Sequence, residues 1–339
     1  MSISILEVGY KGIGRSWCST IEGTLDCQLN GIVDIDEGVR KLAESERHVP
    51  VFPSITEAKA AVGADAAVIA SPSFAHAINV QEALDNELHV LVEKPFTLNL
   101  NEAKCLAEYA ETKKRILLVS QNYRYNEESR TVSKLIKTGK VGKPEFVQIQ
   151  GFNLADVDGT NYRCRLPNPH LWEMAVHQFD LLRFLFNAEV KSVFCALFNP
   201  SWSWYQHSAY THAWFELSNE IRVNYIGTYV TRGPSSSWNN SWRIEGTNGT
   251  LLWCEPPEIP LQYTPGPGTS PEVLPVEQFP RAGLEGTLDE LVRAINRGSA
   301  FECSAQDNLN TLAICVACEI SAREQQVVNV ADVLKGKKS

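Results

Sequence analysis

Lys94 is the residue whose position most clearly suggests chemistry. Residues 88–92 form an apolar run that predicts a buried strand, and the run stops at Glu93-Lys94-Pro95. Because proline cannot continue a strand ladder, the chain must turn there. In open α/β sheets ligands bind at the carboxyl ends of the strands, so Lys94 is expected to face one. Taken alone, the residue can also be read as a solvated surface lysine.

A second group of reactive side chains lies on a predicted helix over residues 171–186. Glu173, His177 and Asp180 are spaced i, i+4, i+7, which puts them on one helix face. A carboxylate one turn from an imidazole can fix its tautomer and make it a better general base. Apolar neighbours, Trp172 among them, predict that this face is partly buried. An ordinary surface His–Glu pair is the alternative.

A glycine-rich turn follows the first predicted strand. Gly9 and Gly14 occupy the first and third positions of a G-x-G-x-x-G dinucleotide motif, whereas Lys11 occupies the second. A side chain at that position can crowd a pyrophosphate, or its ammonium can lie against it. Gly12, next to it, lets the loop adjust.

An acidic residue ends the second predicted strand, about twenty residues after the glycine turn. The sequence there is Val33-Asp34-Ile35-Asp36. A carboxylate at this point accepts hydrogen bonds from the adenosine ribose and repels a 2′-phosphate, so Asp34 favours NAD(H) over NADP(H). The alternative is that Asp34 and Asp36 only begin the next helix.

The bulk composition predicts a soluble protein with two domains. The chain has 339 residues, 44% hydrophobic and 21% charged, and a formal net charge of −9. An acidic balance argues against nucleic acid or an anionic membrane as the main partner. No run approaches the length of a membrane span. The first residues already predict a strand, which leaves no room for a signal peptide.

Cysteine and histidine usage points to a cytoplasmic protein without a metal site. The nine cysteines, an odd number, are scattered along the chain, as is typical of reduced thiols. Cys315 and Cys318 form a C-x-x-C pair within an apolar helical stretch, so we expect a core position for both. The seven histidines lack zinc-ligand spacing.

Two sequence textures divide the chain at residues 1–122 and 123–339. The first segment alternates strand and helix patterns, which predicts a parallel α/β sheet, and the second is strand-rich and of the α+β kind. Predicted strands cover residues 2–8, 28–34, 50–52, 66–70, 88–92, 116–120, 144–153, 190–198, 209–217, 221–231, 241–246 and 250–254. Predicted helices cover 127–138, 284–297 and 305–323, and cap signals at Ser54 and Asn99 begin two more. Residues 264–272 are predicted to be an irregular loop.

Together these residues resemble the Gfo/Idh/MocA oxidoreductases, which include glucose–fructose oxidoreductase and inositol dehydrogenase. The resemblance covers nearly the whole chain. It rests on the glycine loop, Asp34, Ala70-Ser71-Pro72 with His76, Glu93-Lys94-Pro95, Gln121-Asn122-Tyr123-Arg124 and the His177-x-x-Asp180 helix. The chain departs from the family pattern at Lys11, and at Asn168-Pro169, where many members have a glycine pair.

The resemblance implies a Rossmann dinucleotide-binding domain followed by an α+β domain with a largely antiparallel open sheet. It also implies hydride transfer between NAD(P) and a ring hydroxyl or ketone of a sugar, sugar acid or cyclic polyol. Lys94 would stabilise the alkoxide, His177 would accept the hydroxyl proton, and Glu173 would orient His177 or contact a second hydroxyl. The residues expected to hold the cofactor are Gly9, Lys11, Gly12, Ile13, Gly14, Asp34, Ser71, Pro72, His76, Glu93, Lys94 and Gln121.

The sequence gives few indications of the substrate. Trp172 adjoins Glu173 and offers an aromatic face to a sugar, and Arg163 in the preceding loop can clamp a carboxylate such as that of a uronic acid. The residues expected to contact substrate are Lys94, Arg124, Arg163, Trp172, Glu173 and His177.

Two alternative functions stay open at this point. Transient oxidation with retained NAD could drive elimination or hydrolysis of a glycoside. A non-catalytic binding or regulatory protein on the same fold is the other, and Lys11 is its main support. In each case the expected partners are a small carbohydrate or polyol and a second copy of the chain, as a homodimer or homotetramer.

Overall fold

Two compact units make up the protein. The computed structural model describes residues 2–255 and 258–336. The first unit comprises the chain up to Tyr125 together with Arg281–Leu309, and the second comprises Asn126–Pro280 together with the chain from Asn310. This division differs from the predicted ranges 1–122 and 123–339, because the chain returns to the first unit late.

A parallel six-stranded sheet forms the centre of the first unit. Its order is β3-β2-β1-β4-β5-β6, and every pairing is parallel. The strands are β1 (Ile3–Val8), β2 (Cys27–Val33), β3 (Val51–Phe52), β4 (Ala66–Ile69), β5 (His89–Glu93) and β6 (Leu117–Ser120). The predicted Rossmann sheet is therefore confirmed, with strand ends that differ from the predicted ones by at most one residue. The strand order reverses between β1 and β4, which is where such sheets bind ligands.

Six α-helices flank or follow these strands. They are α1 (Ile13–Glu22), α2 (Glu37–Arg47), α3 (Ile55–Val62), α4 (His76–Asp85), α5 (Leu100–Thr112) and α8 (Gly283–Arg297). The predicted caps are confirmed, since Ser54 accepts the Glu57 N–H and Asn99 accepts the Glu102 N–H. Helix α8 explains the late return of the chain, because its Leu288, Leu291 and Val292 belong to the buried cluster that contains β1 and α1 side chains.

The second unit is built on a nine-stranded sheet of order β14-β13-β12-β11-β7-β10-β9-β8-β15. Only the β7–β10 pair is parallel among the described strands, so the largely antiparallel expectation is confirmed. The strands are β7 (Pro144–Phe152), β8 (Val190–Phe198), β9 (Tyr210–Leu217), β10 (Arg222–Thr228), β11 (Ser241–Gly246), β12 (Gly249–Trp253), β13 (Leu261–Thr264), β14 (Glu272–Val273) and β15 (Val328–Asn329). The helices are α6 (Glu127–Lys137), α7 (Val176–Phe186), α9 (Ala305–Glu324, shared between the units) and α10 (Val330–Leu334).

One sequence prediction for this unit needs correction, and another is confirmed except at its two end residues. The predicted regular helix over 171–186 begins with a π-helical turn, Leu171–Ala175, before α7. The irregular segment 264–272 is bounded by the short strands β13 and β14, which pair with each other. Strands this short have too few residues to show the alternation of apolar and polar side chains that identifies a strand. A π-helical turn has no characteristic amino-acid composition.

One face of the second sheet packs against helices, whereas the other is open over β8 and β9. Phe179 of α7 packs edge-on against Phe215 and Tyr225 of the sheet at centroid distances of 5.0 and 5.2 Å. Side chains alternate between the two faces along each strand. On the face away from the helices, Phe194 and Trp214 are 41% and 50% exposed. Large exposed aromatic side chains grouped on one surface are typical of an interaction face.

The remaining sequence expectations concern cysteines, metals and membranes. Cys315 and Cys318 are fully buried in α9, so their core position is confirmed. The nine cysteines, all within the described residues, form no disulfide. Across residues 2–255 and 258–336, no cluster of His, Cys, Asp and Glu could hold a metal ion. Within the same ranges, no helix has the length and apolar character needed to cross a bilayer.

Candidate active site

The glycine turn of the first unit is as tightly built as its motif requires. Gly9 has φ 104°, and a Cβ there would lie 2.6 Å from the Ser71 backbone. A Cβ on Gly14 would lie 2.0 Å from the Gly9 carbonyl oxygen. By contrast, a Cβ on Gly12 would meet nothing within 4 Å. The loop therefore packs closely on its inner side and leaves open space on its outer side, as a dinucleotide requires.

Lys11 and Ile13 flank Gly12 on this outer side, and both side chains are exposed. The Lys11 side chain does not pack into the loop. A lysine at this position of the motif is therefore compatible with the close Gly9–Gly14 contact. The backbone at the start of α1 still offers N–H groups to an anion. The residues present thus fit a dinucleotide.

Asp34 joins the end of β2 to the glycine turn. Its carboxylate accepts the backbone N–H of Tyr10 at 3.1 Å and that of Asp36 at 3.0 Å. Asp36 is the residue that caps α2, where it accepts the Val39 N–H at 3.0 Å. The two acids therefore have different roles, and only Asp36 begins the helix. Asp34 is fixed at the carboxyl end of β2, beside the loop.

Lys94 follows β5 directly and is half-buried, and the Lys94–Pro95 peptide is cis. Its backbone N–H donates to the Glu93 carboxylate at 3.2 Å. His76 is 1% exposed and lies between the carbonyl oxygens of Pro95, at 2.7 Å, and Ser71, at 2.8 Å. These hydrogen bonds tie the turn after β5 to the loop after β4.

Gln121 and Arg124 follow β6 in the same unit. Gln121 is 1% exposed, and within the described chain its side-chain amide makes no hydrogen bond. A buried amide without a protein partner fits a polar ligand or bound water. Arg124 instead donates to Asp307 at 3.0 Å and to the Glu302 carbonyl at 3.1 Å, so its guanidinium is held by protein groups.

In the second unit, Glu173 pairs with Arg163. The Arg163 Nε donates to the Glu173 carboxylate at 3.2 Å, and Glu173 is almost completely buried. Although burial opposes it, the neighbouring Glu173 charge raises the pKa of Arg163. Arg163 therefore has a protein carboxylate as a partner, which weakens the expectation that it clamps a substrate carboxylate.

His177 lies in the first turn of α7 and is 5% exposed. Asp180, one turn further on, accepts the Thr311 hydroxyl hydrogen bond at 3.0 Å and lies 3.8 Å from Arg183. Of the three residues predicted to share a helix face, Asp180 is thus committed to protein contacts. Glu173 and His177 lie on either side of the change from π- to α-helix.

Trp172 has a packing role in this unit. It is 3% exposed, and its indole N–H donates to Glu319 of α9 at 2.8 Å. Asn168, one of the departures from the family pattern, donates to the same carboxylate at 2.9 Å. The contact of Trp172 with a sugar face, predicted from the sequence, finds little accessible ring surface here.

Sequence reasoning missed three residues that hydrogen-bond to the groups described above or lie beside them: Trp17, His170 and Glu319. The Trp17 indole N–H donates to the Glu93 carboxylate. His170 is fully buried ahead of the π-turn, where it contacts the Thr211 hydroxyl at 3.0 Å, and burial lowers its pKa to about 3. A Cβ on Gly227 would lie 2.5 Å from the His170 ring, so the glycine makes room for it. Only Trp17 had a usable signal, since it lies three residues after Gly14 on the buried face of α1.

Comparison with known proteins identifies the class to which this fold belongs. Residues 3–121 match the oxidoreductase family with an NAD-binding Rossmann fold, and residues 129–252 match the GFO/IDH/MocA C-terminal domain. The chain belongs to the Gfo/Idh/MocA family of NAD-binding oxidoreductases. The resemblance inferred from the motifs is therefore confirmed, and the protein is an oxidoreductase of this family.

Named relatives act on sugars and cyclitols. The inositol 2-dehydrogenase of Rhizobium meliloti is 23% identical over 98% of this chain and 100% of its own length. The UDP-N-acetylglucosamine 3-dehydrogenase of Acidithiobacillus ferrooxidans is 25% identical over 84% and 82%.

Solved structures share the fold. An oxidoreductase from Agrobacterium radiobacter, in complex with NAD+, L-tartaric acid and magnesium, superimposes with a TM-score of 0.86 at 18% identity, covering 98% of this chain and 99% of its own. A protein from Desulfitobacterium hafniense, provisionally assigned as an NADPH-dependent oxidoreductase, gives a TM-score of 0.88 at 17% identity with the same coverage.

Proposed function

We propose that the protein is an NAD(H)-dependent dehydrogenase of a ring hydroxyl in a sugar or cyclic polyol, with Lys94 and His177 acting on the reacting oxygen. The observation that carries the proposal is the position of Lys94. It directly follows β5 in the unit that also holds the glycine turn and Asp34 at strand ends. The carboxyl ends of such strands are where α/β enzymes gather cofactor and substrate.

In this mechanism the nicotinamide supplies the hydride acceptor or donor, and the protein supplies position and charge. The Lys94 ammonium donates to the substrate oxygen and stabilises the negative charge that develops on it. His177 accepts the hydroxyl proton during oxidation and returns it during reduction. The burial of His177 supports this role, because a general base works best where water does not compete for the proton.

The Glu173–Arg163 ion pair bears on the class of substrate. Its charges compensate each other, so it offers a substrate hydroxyl both an acceptor and donors without selecting for an anion. We therefore favour neutral sugars and cyclic polyols over sugar acids. Glu173 also supports His177 in this proposal, as a fixed carboxylate near the start of the same helix.

NAD(H) is the proposed cofactor because of Asp34. Its carboxylate is oriented by two backbone N–H groups at 3.1 and 3.0 Å, which leaves further lone pairs for ribose hydroxyls. A 2′-phosphate there would meet a fixed negative charge. In the same proposal, the exposed Lys11 ammonium would bind the pyrophosphate on the open side of the loop.

Asp34→Asn should therefore narrow the preference for NADH. The substitution keeps the shape and one acceptor but removes the charge that opposes a 2′-phosphate. We expect the ratio of the NADPH to the NADH dissociation constant to fall at least roughly tenfold, equivalent to about 1.4 kcal/mol. Titration of the purified protein with each nucleotide, followed by tryptophan quenching and nicotinamide emission, measures both constants.

Glu37→Gln is the matched control, since it removes one exposed acid at the start of α2, close in sequence to Asp34. It should leave the ratio unchanged. If the wild-type protein binds NADPH as tightly as NADH, or if Asp34→Asn and Glu37→Gln behave alike, the assignment of NAD is wrong.

A panel of sugars and cyclic polyols with NAD+ tests the net reaction. Formation of NADH in step with substrate loss supports a dehydrogenase. Consumption of substrate without NADH accumulation would instead show transient oxidation with retained cofactor. Sugar acids belong in the panel, because preferential turnover of a uronic acid would contradict the role given to the Arg163–Glu173 pair.

We also propose that the open sheet face of the second unit binds a second copy of the chain, giving a homodimer or homotetramer. A depression on this face is lined by apolar, polar and charged residues of β8, β9 and β10 and by the residue before β15, namely Ser192, Phe194, Ala196, His212, Trp214, Phe215, Glu216, Arg222 and Val327. An aromatic centre ringed by polar groups is the composition of a protein–protein interface.

Trp214→Glu should disrupt this association. A charge at the centre of the aromatic face would be desolvated without a partner, so we expect the variant to sediment as a smaller species than the wild type at about micromolar concentration. Trp238→Glu is the matched control, because Trp238 is a comparably exposed tryptophan of the same unit that does not line the depression. Identical sedimentation of all three proteins as monomers would contradict the proposed assembly.

A cytoplasmic location is the compartment we propose. Nine cysteines without a disulfide suit a reducing environment, and nicotinamide-dependent chemistry needs a cofactor pool.

A further inference from the structure

A buried hydrogen bond joins the nucleotide-binding helix to the turn that carries Lys94. The indole N–H of Trp17 in α1 donates to the Glu93 Oε1 at 2.9 Å. Trp17 is fully buried and Glu93 is 6% exposed. The other carboxylate oxygen of Glu93 accepts the Lys94 backbone N–H at 3.2 Å. One carboxylate therefore bridges an α1 side chain and the Lys94 main chain.

The bridge begins close to the glycine turn. Trp17 lies three residues after Gly14, whose close contact with the Gly9 carbonyl holds the start of α1 against the loop. Movement of α1 would therefore move the indole N–H and, through Glu93, the turn after β5. Packed elements of this kind transmit small shifts because the interior is close-packed.

We propose that Trp17 is a positioning residue for Lys94, which it holds in place through the Glu93 carboxylate. This proposal rests on the proposed role of Lys94 and adds a residue that does not itself touch the substrate. The same link connects the nucleotide site to Lys94. Lys94 is therefore correctly placed only when α1 packs against the glycine turn.

The electrostatics of Glu93 explain why an indole donor is needed. Burial raises the pKa of Glu93, whereas Lys94, the Trp17 N–H and Ser120 lower it. These groups come from the turn after β5, from α1 and from β6. Without the Trp17 donor, the effect of burial on the pKa of Glu93 is less opposed. The Glu93 carboxyl would then keep its proton up to a higher pH. A protonated Glu93 no longer compensates the Lys94 charge.

Trp17→Phe tests the proposal, because it removes the N–H and keeps most of the ring. We expect kcat to fall roughly tenfold with little change in KM, as for a misplaced catalytic group. Trp253→Phe is the matched control. Trp253 is also fully buried, and its indole N–H makes no hydrogen bond within residues 2–255 and 258–336. It should keep kcat within about twofold of wild type.

A readout without cofactor or substrate separates this role from simple packing. If the indole N–H stabilises the ionised carboxylate, the stability lost in Trp17→Phe grows as pH rises through the folded-state pKa of Glu93. Below that pKa both proteins carry a neutral Glu93, and the difference is smallest. Denaturant unfolding of the apoprotein between pH 5 and 9 measures this, and Trp253→Phe should differ from wild type by a pH-independent amount.

A double-mutant cycle completes the test. Glu93→Gln keeps the shape but has a single acceptor oxygen, so it cannot bridge the Trp17 and Lys94 N–H groups. In that background Trp17→Phe should cost at most about twofold in kcat. A full tenfold loss there, or equal behaviour of the Trp17 and Trp253 variants, would overturn the proposal. Lys94→Met distinguishes failure of the positioning role from failure of the proposed function. If Lys94→Met is inactive while Trp17→Phe has normal activity, only the positioning role of Trp17 fails. If Lys94→Met is active, the proposed function fails.

Discussion

Lys94→Met is expected to lower kcat/KM by at least roughly 100-fold while the protein stays folded and still binds NADH. Removing a single donor to a developing oxyanion typically costs a factor of this size. Methionine keeps an unbranched apolar stem of similar length, so the half-buried side chain still fills its space. Steady-state kinetics with the best substrate of the panel gives the loss. Titration with NADH shows whether the nucleotide site survives.

Lys59→Met provides the comparison for this variant. Lys59 is another half-buried lysine of the first unit, on α3, and its ammonium donates to the Ala64 carbonyl. Its replacement removes the same charge without touching the strand ends and should leave kcat/KM within about threefold. Activity of Lys94→Met near the wild-type value would rule out Lys94 as the group that stabilises the alkoxide.

Local spacing was enough to predict the Rossmann sheet and the strand ends at which the candidate nucleotide-binding residues lie. The glycine turn, the acid after β2 and the lysine after β5 each lie where a strand ends, and strand ends are readable from apolar runs and turn residues. Because parallel strands place their carboxyl ends along one edge, such residues gather without further information. The departure at Lys11 was visible too, and the open space around Gly12 explains why it is compatible with the fold.

Contacts between residues distant in sequence were not predictable in this way. Trp17 and Glu93 are separated by 76 positions, and the pairing of Trp172 with Glu319 by 147. Such pairs depend on how elements pack, and a single sequence holds no record of packing. The late return of α8 to the first unit is of the same kind. Its amphipathic pattern predicts a helix but does not say which core the helix covers.

The π-turn before α7 shows how a local irregularity changes a functional interpretation. The i, i+4 spacing of Glu173 and His177 suggested a direct pair on a regular helix. A π-turn widens the helix at this point and changes the directions of the side chains ahead of Val176. Glu173 accepts a hydrogen bond from Arg163 of the preceding loop, a contact that the helical spacing did not indicate. Spacing arguments therefore need the helix type as well as the count.

His177→Asn should remove most of the activity in a way that depends on pH. Asparagine keeps a polar group of similar reach but cannot accept a proton near neutral pH. We expect kcat/KM for oxidation to fall by roughly 100- to 10,000-fold, the range associated with a general acid–base group. The pH profile is the more telling measurement. An imidazole base gives a limb on which the rate rises with pH, and the variant should lose that limb.

His212→Asn is the control for this prediction, since His212 lies on the open sheet face and bonds to Asn224 at 3.1 Å. It should keep both the rate and the pH profile. Restoration of the rate of His177→Asn by hydroxide at high pH would support a missing base, because solvent then takes over the proton transfer. A variant that is slow but has the wild-type pH limb would mean that another residue takes the proton. His177 would then be a residue that positions the substrate, and Glu173 would be the next candidate for the base.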